Sequence, residues 1–139
     1  MSCFAPRFEG YAAKVRVSFA RQAMMAAFGA ELRDIAPGRV AIAAQVTEGL
    51  TQQHGVAHAA LTFGIGDSAA GYAALTLLDD AAEVMTAEMK VNLLAPAAGP
   101  ELLAVGEVVR PGRRLIVVTA TVWSGEARVA LMQGTMVPT

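Results

Sequence analysis

Apolar residues recur along this chain with changing rhythms, and each change marks an element. Over residues 6–28, Phe8, Tyr11, Ala12, Val15, Phe19 and Ala26 return at helical spacing, with Lys14 and Arg21 elsewhere on the circumference. This predicts one N-terminal helix, stopped by Gly29. Two short strands follow, near residues 30–35 and 39–46, joined at Pro37-Gly38. In the second, Val40, Ile42, Ala44 and Val46 share a face. Over residues 58–78 the chain reads HAALTFGIGDSAAGYAALTLL, apolar on nearly every side, which predicts a core helix over about 58–77. Period-two alternation then takes over. Met85, Ala87, Met89, Val91 and Leu93 alternate with Thr86, Glu88, Lys90 and Asn92. Strands over 101–110 and 113–123 meet at Arg110-Pro111-Gly112-Arg113, where Pro then Gly suits a type II turn. Ser124-Gly125 turns the chain into a last strand over 128–137.

The late strands connect by short turns and so pair antiparallel. An antiparallel sheet beside one wholly apolar helix is satisfied when the sheet curls around that helix. The fold class expected is therefore α+β, as a single domain over residues 1–139 with an extra N-terminal helix.

Composition narrows the function classes. Hydrophobic residues make up 55% of the 139 and charged residues 17%, which excludes disorder. A net charge of −1 gives no footprint for nucleic acid. Cys3 is the only cysteine, so no intrachain disulfide forms. With no signal-peptide pattern at the N-terminus, the expected compartment is the reducing cytoplasm. The apolar run does not read as a membrane span, because it is rich in small residues and carries Asp67 near its middle. The two histidines and Cys3 lack metal-ligand spacing, so no metal is expected.

Asp67 is the only formal charge from residue 58 to 78. A carboxylate on an apolar helix is expensive to bury unless something pairs with it or uses it. Its surroundings carry a resemblance. QQHGVAHAALTFGIGDSAAG resembles the signature of hot-dog acyl-CoA thioesterases, particularly the phenylacetate-pathway (PaaI-like) type. That signature runs Asn or Gln, two residues, Gly, two residues, His-Gly-Gly, then an acidic residue nine positions after the His. Gln52, Gly55, His58 and Asp67 stand at those positions. TAEMKVNLLAPAAG, VVRPGRRLIVVTATV and QGTMV resemble the strands that follow. Three departures stand out: Ala59-Ala60 replaces Gly-Gly, Gln52 replaces the commoner Asn, and Gly71 replaces a Thr or Ser one turn after the acid.

The resemblance implies a hot-dog fold and hydrolysis of acyl-CoA thioesters, with CoA as part of the substrate and no separate cofactor. Thioester hydrolysis needs a base or nucleophile and a donor for the developing oxyanion. Asp67 supplies the first, and the Ala59 N–H at the helix start supplies the second. These residues lie eight positions apart, roughly 12 Å along a helix, too far to meet at one carbonyl. An obligate homodimer with two shared sites is expected, with dimers pairing again, and no nucleic-acid or membrane partner. Gln52 either orients the carbonyl or a water, or is a solvated loop residue. His58 either caps the helix or lines the pocket entrance, beside Gly55, Ala60 and Ser68. A Ser68–His58–Asp67 triad fails because Ser68 points about 100° away from Asp67. Arg110, Arg113 and Arg114, joined by Lys90, either hold CoA phosphates or form a solvated surface. Phe63, Tyr72, Met85 and Met89 are candidates for the acyl pocket or for plain core. A non-catalytic acyl-CoA or lipid-binding module, or a hot-dog dehydratase or hydratase, is the alternative.

Overall fold

The computed structural model describes residues 3–139. The N-terminal helix is not continuous. It divides into α1 (Tyr11–Ala20) and α2 (Ala23–Phe28). Gln22 between them is extended (φ −84°, ψ 100°) and starts α2. The break has a tertiary cause invisible to periodicity, since the Gln22 side chain is drawn into hydrogen bonds with the central helix. Gly29 ends α2 in the left-handed conformation (φ 65°), and the Ala30 N–H reaches back to the Met25 carbonyl at 2.9 Å. Lys14 on α1 donates to the carbonyls of Asp79 (3.2 Å), Asp80 (2.7 Å) and Ala82, pinning the segment that leaves the central helix.

Strands β1 (Glu31–Ala36) and β2 (Arg39–Gln45) precede the central helix α3 (Ala59–Leu75). Strands β3 (Val84–Leu93), β4 (Glu101–Pro111), β5 (Ile116–Ser124) and β6 (Ala127–Pro138) follow it. They form one antiparallel sheet in the order β1-β2-β4-β5-β6-β3. Its edges are therefore β1 and β3. Helix α3 packs on β2, β4 and β5. Leu61, Ile65 and Leu75 of α3 are buried against Val40, Ile42 and Leu102. Each such side chain contributes about 1.5–3 kcal/mol. The closest approach is at Gly106 of β4, where a Cβ would collide with the Ala69 and Ala70 backbone. Small residues on both elements let the helix lie directly on the sheet. Phe19 of α1 meets Tyr72 of α3 with ring centroids 6.2 Å apart, which seats the N-terminal helices on α3.

Two local expectations are corrected. Strand β4 runs on through Pro111, which pairs with Ile116, so the chain turns over residues 112–115. Gly112 does not take the positive φ that a type II turn requires. In β3, the register shifts between Thr86 and Glu88, so Ala87 is a bulge. The bulge reverses the facing of the strand. Thr86 points toward α3, Met85 is 65% exposed, and Met89 and Val91 pack on the core. The clean alternation read from the sequence therefore does not describe one face.

Candidate functional site

Helix α3 is not covered all round. Its buried stripe faces the sheet, while Ala59, Ala60, Phe63, Asp67, Ser68 and Gly71 stay half-buried or exposed. Two cavities open along this stripe.

The first lies at the N-terminal end of α3. Residues 51–58 fold into a tight loop, with the Gly55 N–H on the Gln52 carbonyl (3.0 Å) and the Gln52 N–H on the Val56 carbonyl (2.9 Å). Gly55 takes φ 82°, a conformation that disfavours a side chain, which is the local reason for glycine there. The His54 N–H donates to Gln52 Oε1, leaving the Gln52 amide nitrogen as the free end of that side chain. His58 is the N-cap of α3, and its Nδ1 accepts the Ala60 N–H at 2.9 Å. The Ala60 donor is thereby used. The Ala59 N–H has no hydrogen-bond partner among the described residues. Gln52, His58 and Ala59 border a cavity of about 520 Å³, closed on its other side by Leu93, Leu94 and Val129.

The second cavity holds Asp67. It measures about 420 Å³, and Asp67 shares it with Arg21, Gln22, Ser68, Tyr72 and Thr86. The Thr86 hydroxyl donates to Asp67 Oδ1 at 2.7 Å, leaving Oδ2 available. Burial pushes the Asp67 carboxyl above its usual value of 3.8, and the Thr86 hydrogen bond opposes that rise. No ion pair to Asp67 forms among the described residues. The carboxylate is thus held in place and partly desolvated, with Arg21 in the same cavity but not ion-paired to it.

No residue borders both cavities. The structure brings Gln52, Gly55, His58, Ala59 and Ala60 together at one end of α3, and Asp67 with Ser68 nearer its middle. Ser68 does not face a histidine. It donates to Gln22 Oε1 at 3.1 Å. Of the acyl-pocket candidates, Tyr72 lines the Asp67 cavity, Met85 is exposed on the sheet edge, and Phe63 and Met89 pack on the core. Lys90 lies outside both cavities, beside Glu88, Asn92 and Gln133. Arg110, Arg113 and Arg114 are exposed at the β4–β5 turn and form no ion pair among the described residues. Periodicity gave no reason to single out Thr86 or Gln22. Thr86 falls among the polar positions of the period-two alternation, and Gln22 inside the expected N-terminal helix. No group of His, Cys, Asp or Glu among the described residues could hold a metal ion. No helix among them is long and apolar enough to cross a membrane.

A curved antiparallel sheet around one central helix, with an acid on that helix and a capped donor end, defines a hot-dog protein of the thioesterase kind. The family model described as "Thioesterase superfamily" matches residues 54–131, more than half of the chain, and the chain belongs to that family. A thioesterase family protein from Silicibacter pomeroyi is 46% identical in its crystal structure. That match has a TM-score of 0.90 and covers 93% of this chain and 98% of the other. The PaaI protein from the phenylacetic acid degradation operon of Escherichia coli shares the fold. Its TM-score is 0.86 at 18% identity, over 93% of each chain. A protein of Saccharolobus solfataricus named "Putative esterase" is 31% identical over 99 residues, which are 71% of this chain and 65% of that one. The match thus spans just under two thirds of that relative.

Proposed function

We propose that this protein hydrolyses acyl-CoA thioesters at sites shared between two copies of the chain. Asp67 of one copy is the base or nucleophile, and the Ala59 N–H of the other is the oxyanion donor. The observation that carries this reading is the division of the chemistry between two cavities with no common residue. Eight residues of helix separate the donor from the acid by roughly 12 Å, whereas both must lie about 3 Å from one reacting carbonyl. Antiparallel pairing of two α3 helices about a two-fold axis brings each donor end beside the other copy's acid. The β3 edge supports pairing, because Met85, Leu93 and Leu94 are 65%, 56% and 49% exposed there.

In the water-attack form, Asp67 Oδ2 takes a proton as the water oxygen bonds to the thioester carbon. The carbonyl oxygen becomes an oxyanion on the Ala59 N–H. Collapse of this intermediate breaks the carbon–sulfur bond, the proton on Asp67 passes to the leaving sulfur, and the acid and the CoA thiol are released. In the covalent form, Oδ2 attacks the carbon directly, and the carbon–sulfur bond breaks to expel the CoA thiolate, which takes its proton from solvent. Water later cleaves the anhydride to the acid and free Asp67. The Gln52 amide nitrogen is suited to hold the carbonyl or the water, and Arg110, Arg113, Arg114 and Lys90 are the candidate contacts for CoA phosphates. A thiol-release assay over aryl, short and long acyl-CoAs tests the proposal. The wild-type protein is expected to release thiol from at least one class. Hydrolysis at the native rate by a folded Asp67→Asn variant would remove Asp67 from the chemistry.

One observation favours a second reading, a non-catalytic acyl-CoA-binding module. With the Ala60 N–H held by His58, the helix end offers one fewer donor to an oxyanion. Tight binding of CoA esters without thiol release in any class would select it.

A further inference from the structure

The Asp67 cavity has a polar wall that thioester cleavage does not use. Gln22, at the break between α1 and α2, is its hub. The Ser68 hydroxyl donates to Gln22 Oε1 at 3.1 Å, and Gln22 Nε2 donates to the Tyr72 hydroxyl at 3.0 Å. The Tyr72 and Ser18 hydroxyls share one hydrogen bond at 3.1 Å. All four side chains border the cavity. An amide nitrogen carries two hydrogens and each hydroxyl one. Once the three bonds are made, one Gln22 N–H and one hydroxyl hydrogen have no acceptor among the described residues. The rim adds the guanidinium of Arg21, which forms no ion pair among the described residues. A group that satisfies this wall must bring acceptor atoms.

Charge and size narrow that group further. Asp67 and Glu83 border the cavity with the cation Arg21. Glu83 is paired with Lys14 at 4.0 Å. Asp67 has no ion pair among the described residues, and its charge disfavours an anionic tail. Ser68 and Tyr72 lie four residues apart on one face of α3, beside the row formed by Asp67 and Gly71. Tyr72 is five residues past Asp67, roughly 7.5 Å by helical rise, which fits a short acyl chain. Gly71 leaves the space of one methyl group in the floor, since a Cβ there would sit in ordinary van der Waals contact with Met136, 3.8 Å from its methyl.

Taking the thioester reading above as its basis, we infer that the Ser68–Gln22–Tyr72–Ser18 wall selects short acyl groups bearing a neutral acceptor oxygen, a keto or hydroxyl group, near the far end. Plain alkyl chains leave its donors unpaired, and a terminal carboxylate meets the unpaired charge of Asp67. A hydrogen-bonding site left unpaired discriminates against the analogue that lacks the partner more strongly than an apolar pocket does.

Calorimetric titration with three CoA thioethers tests this without needing turnover: S-pentyl-CoA, S-(4-oxopentyl)-CoA and S-(4-carboxybutyl)-CoA. The oxo compound is expected to bind at least about tenfold tighter than either of the others. Tyr72→Phe, which retains the ring against Phe19, and Gln22→Leu should each reduce the oxo-to-pentyl preference to about threefold or less. Equal binding of the oxo and pentyl compounds, tighter binding of the carboxylate, no binding of any of the three, or a preference unmoved by Tyr72→Phe would overturn the assignment. The thioethers have no bond to hydrolyse. A failure of catalysis in the thiol-release assay is therefore separable from a failure of this wall.

Discussion

The two cavities along α3 are chemical opposites. At the N-terminal end, His58 closes one backbone donor and leaves the Ala59 N–H open at the positive end of the helix, with no acid beside it. Nearer the middle, Thr86 holds one oxygen of Asp67 and leaves the other open, away from the N-terminal end of α3. One region has an open backbone donor of α3 and no carboxylate; the other has a carboxylate and no open backbone donor of α3. Each stays incomplete because a helix separates them by its rise, and that rise is fixed by backbone geometry whatever the side chains. It is this spacing that motivates the proposal of an intermolecular site.

The largest effect that sharpens the comparison comes from the acid. Asp67→Asn keeps an acceptor for Thr86 but removes the base, and kcat/KM is expected to fall about 10²–10⁴-fold. The same variant should melt at a higher temperature than wild type at pH 7. The folded-state pKa of Asp67 is raised, so the neutral form is favoured on folding. That contribution is full below the unfolded value and is lost as pH rises through the folded one. The melting advantage of Asn should therefore shrink toward zero as pH falls below the usual carboxylate value. An unchanged difference across that range would mean that Asp67 is not desolvated. The next effect comes from the donor end. Ala59→Pro removes one N–H at the first helical position, where proline is tolerated, and His58 already has the extended backbone (φ −63°, ψ 144°) that precedes a proline. Thiol release should fall about 10²–10³-fold with little change in melting temperature. A rate within about twofold of wild type would clear Ala59 of the role.

Much of this contrast was legible in the sequence. Asp67 stood out as a charge in an apolar run, and its nine-residue distance from His58 carried the family resemblance. The antiparallel pairing of β4, β5 and β6 and the wrapped helix followed from pattern and short turns. In contrast, β3 pairs with β6 at the sheet edge and not with the β4 that follows it, a long-range pairing that turn lengths do not reveal. What was not legible depended on contacts between distant segments. The break at Gln22 is held by Ser68 and Tyr72, 46 and 50 residues away. Thr86 meets Asp67 only because the bulge at Ala87 reverses the facing of β3. A period-two reading has no means of locating an inserted residue, and a helical wheel shows no partner that would break a helix. The stripe of α3 that stays open is likewise invisible in composition, because Ala60, Phe63 and Gly71 look no different from core positions.

Smaller effects probe the supports. Thr86→Val removes the bond that opposes the rise of the Asp67 pKa. The acid limb of the pH profile of kcat/KM should move to higher pH, with only a few-fold loss at the optimum. A limb that stays in place or moves to lower pH would dissociate Thr86 from the acid. The smallest effect is expected from Arg113→Ala with Arg114→Ala. These exposed residues should raise KM for an acyl-CoA about three- to tenfold and leave a short pantetheine thioester unaffected. Equal effects on both substrates would take the turn out of the site.

Mixing the two dead variants addresses the central claim most directly. Asp67→Asn and Ala59→Pro chains, each inactive alone, are unfolded together, refolded as a mixture and assayed for thiol release. With sites shared between copies, about half the dimers are mixed and one of their two sites is whole. Activity should return to about a quarter of the wild-type rate per chain. A mixture no more active than its separate components, with mixed dimers demonstrated by mass, would show that donor and acid act within one chain.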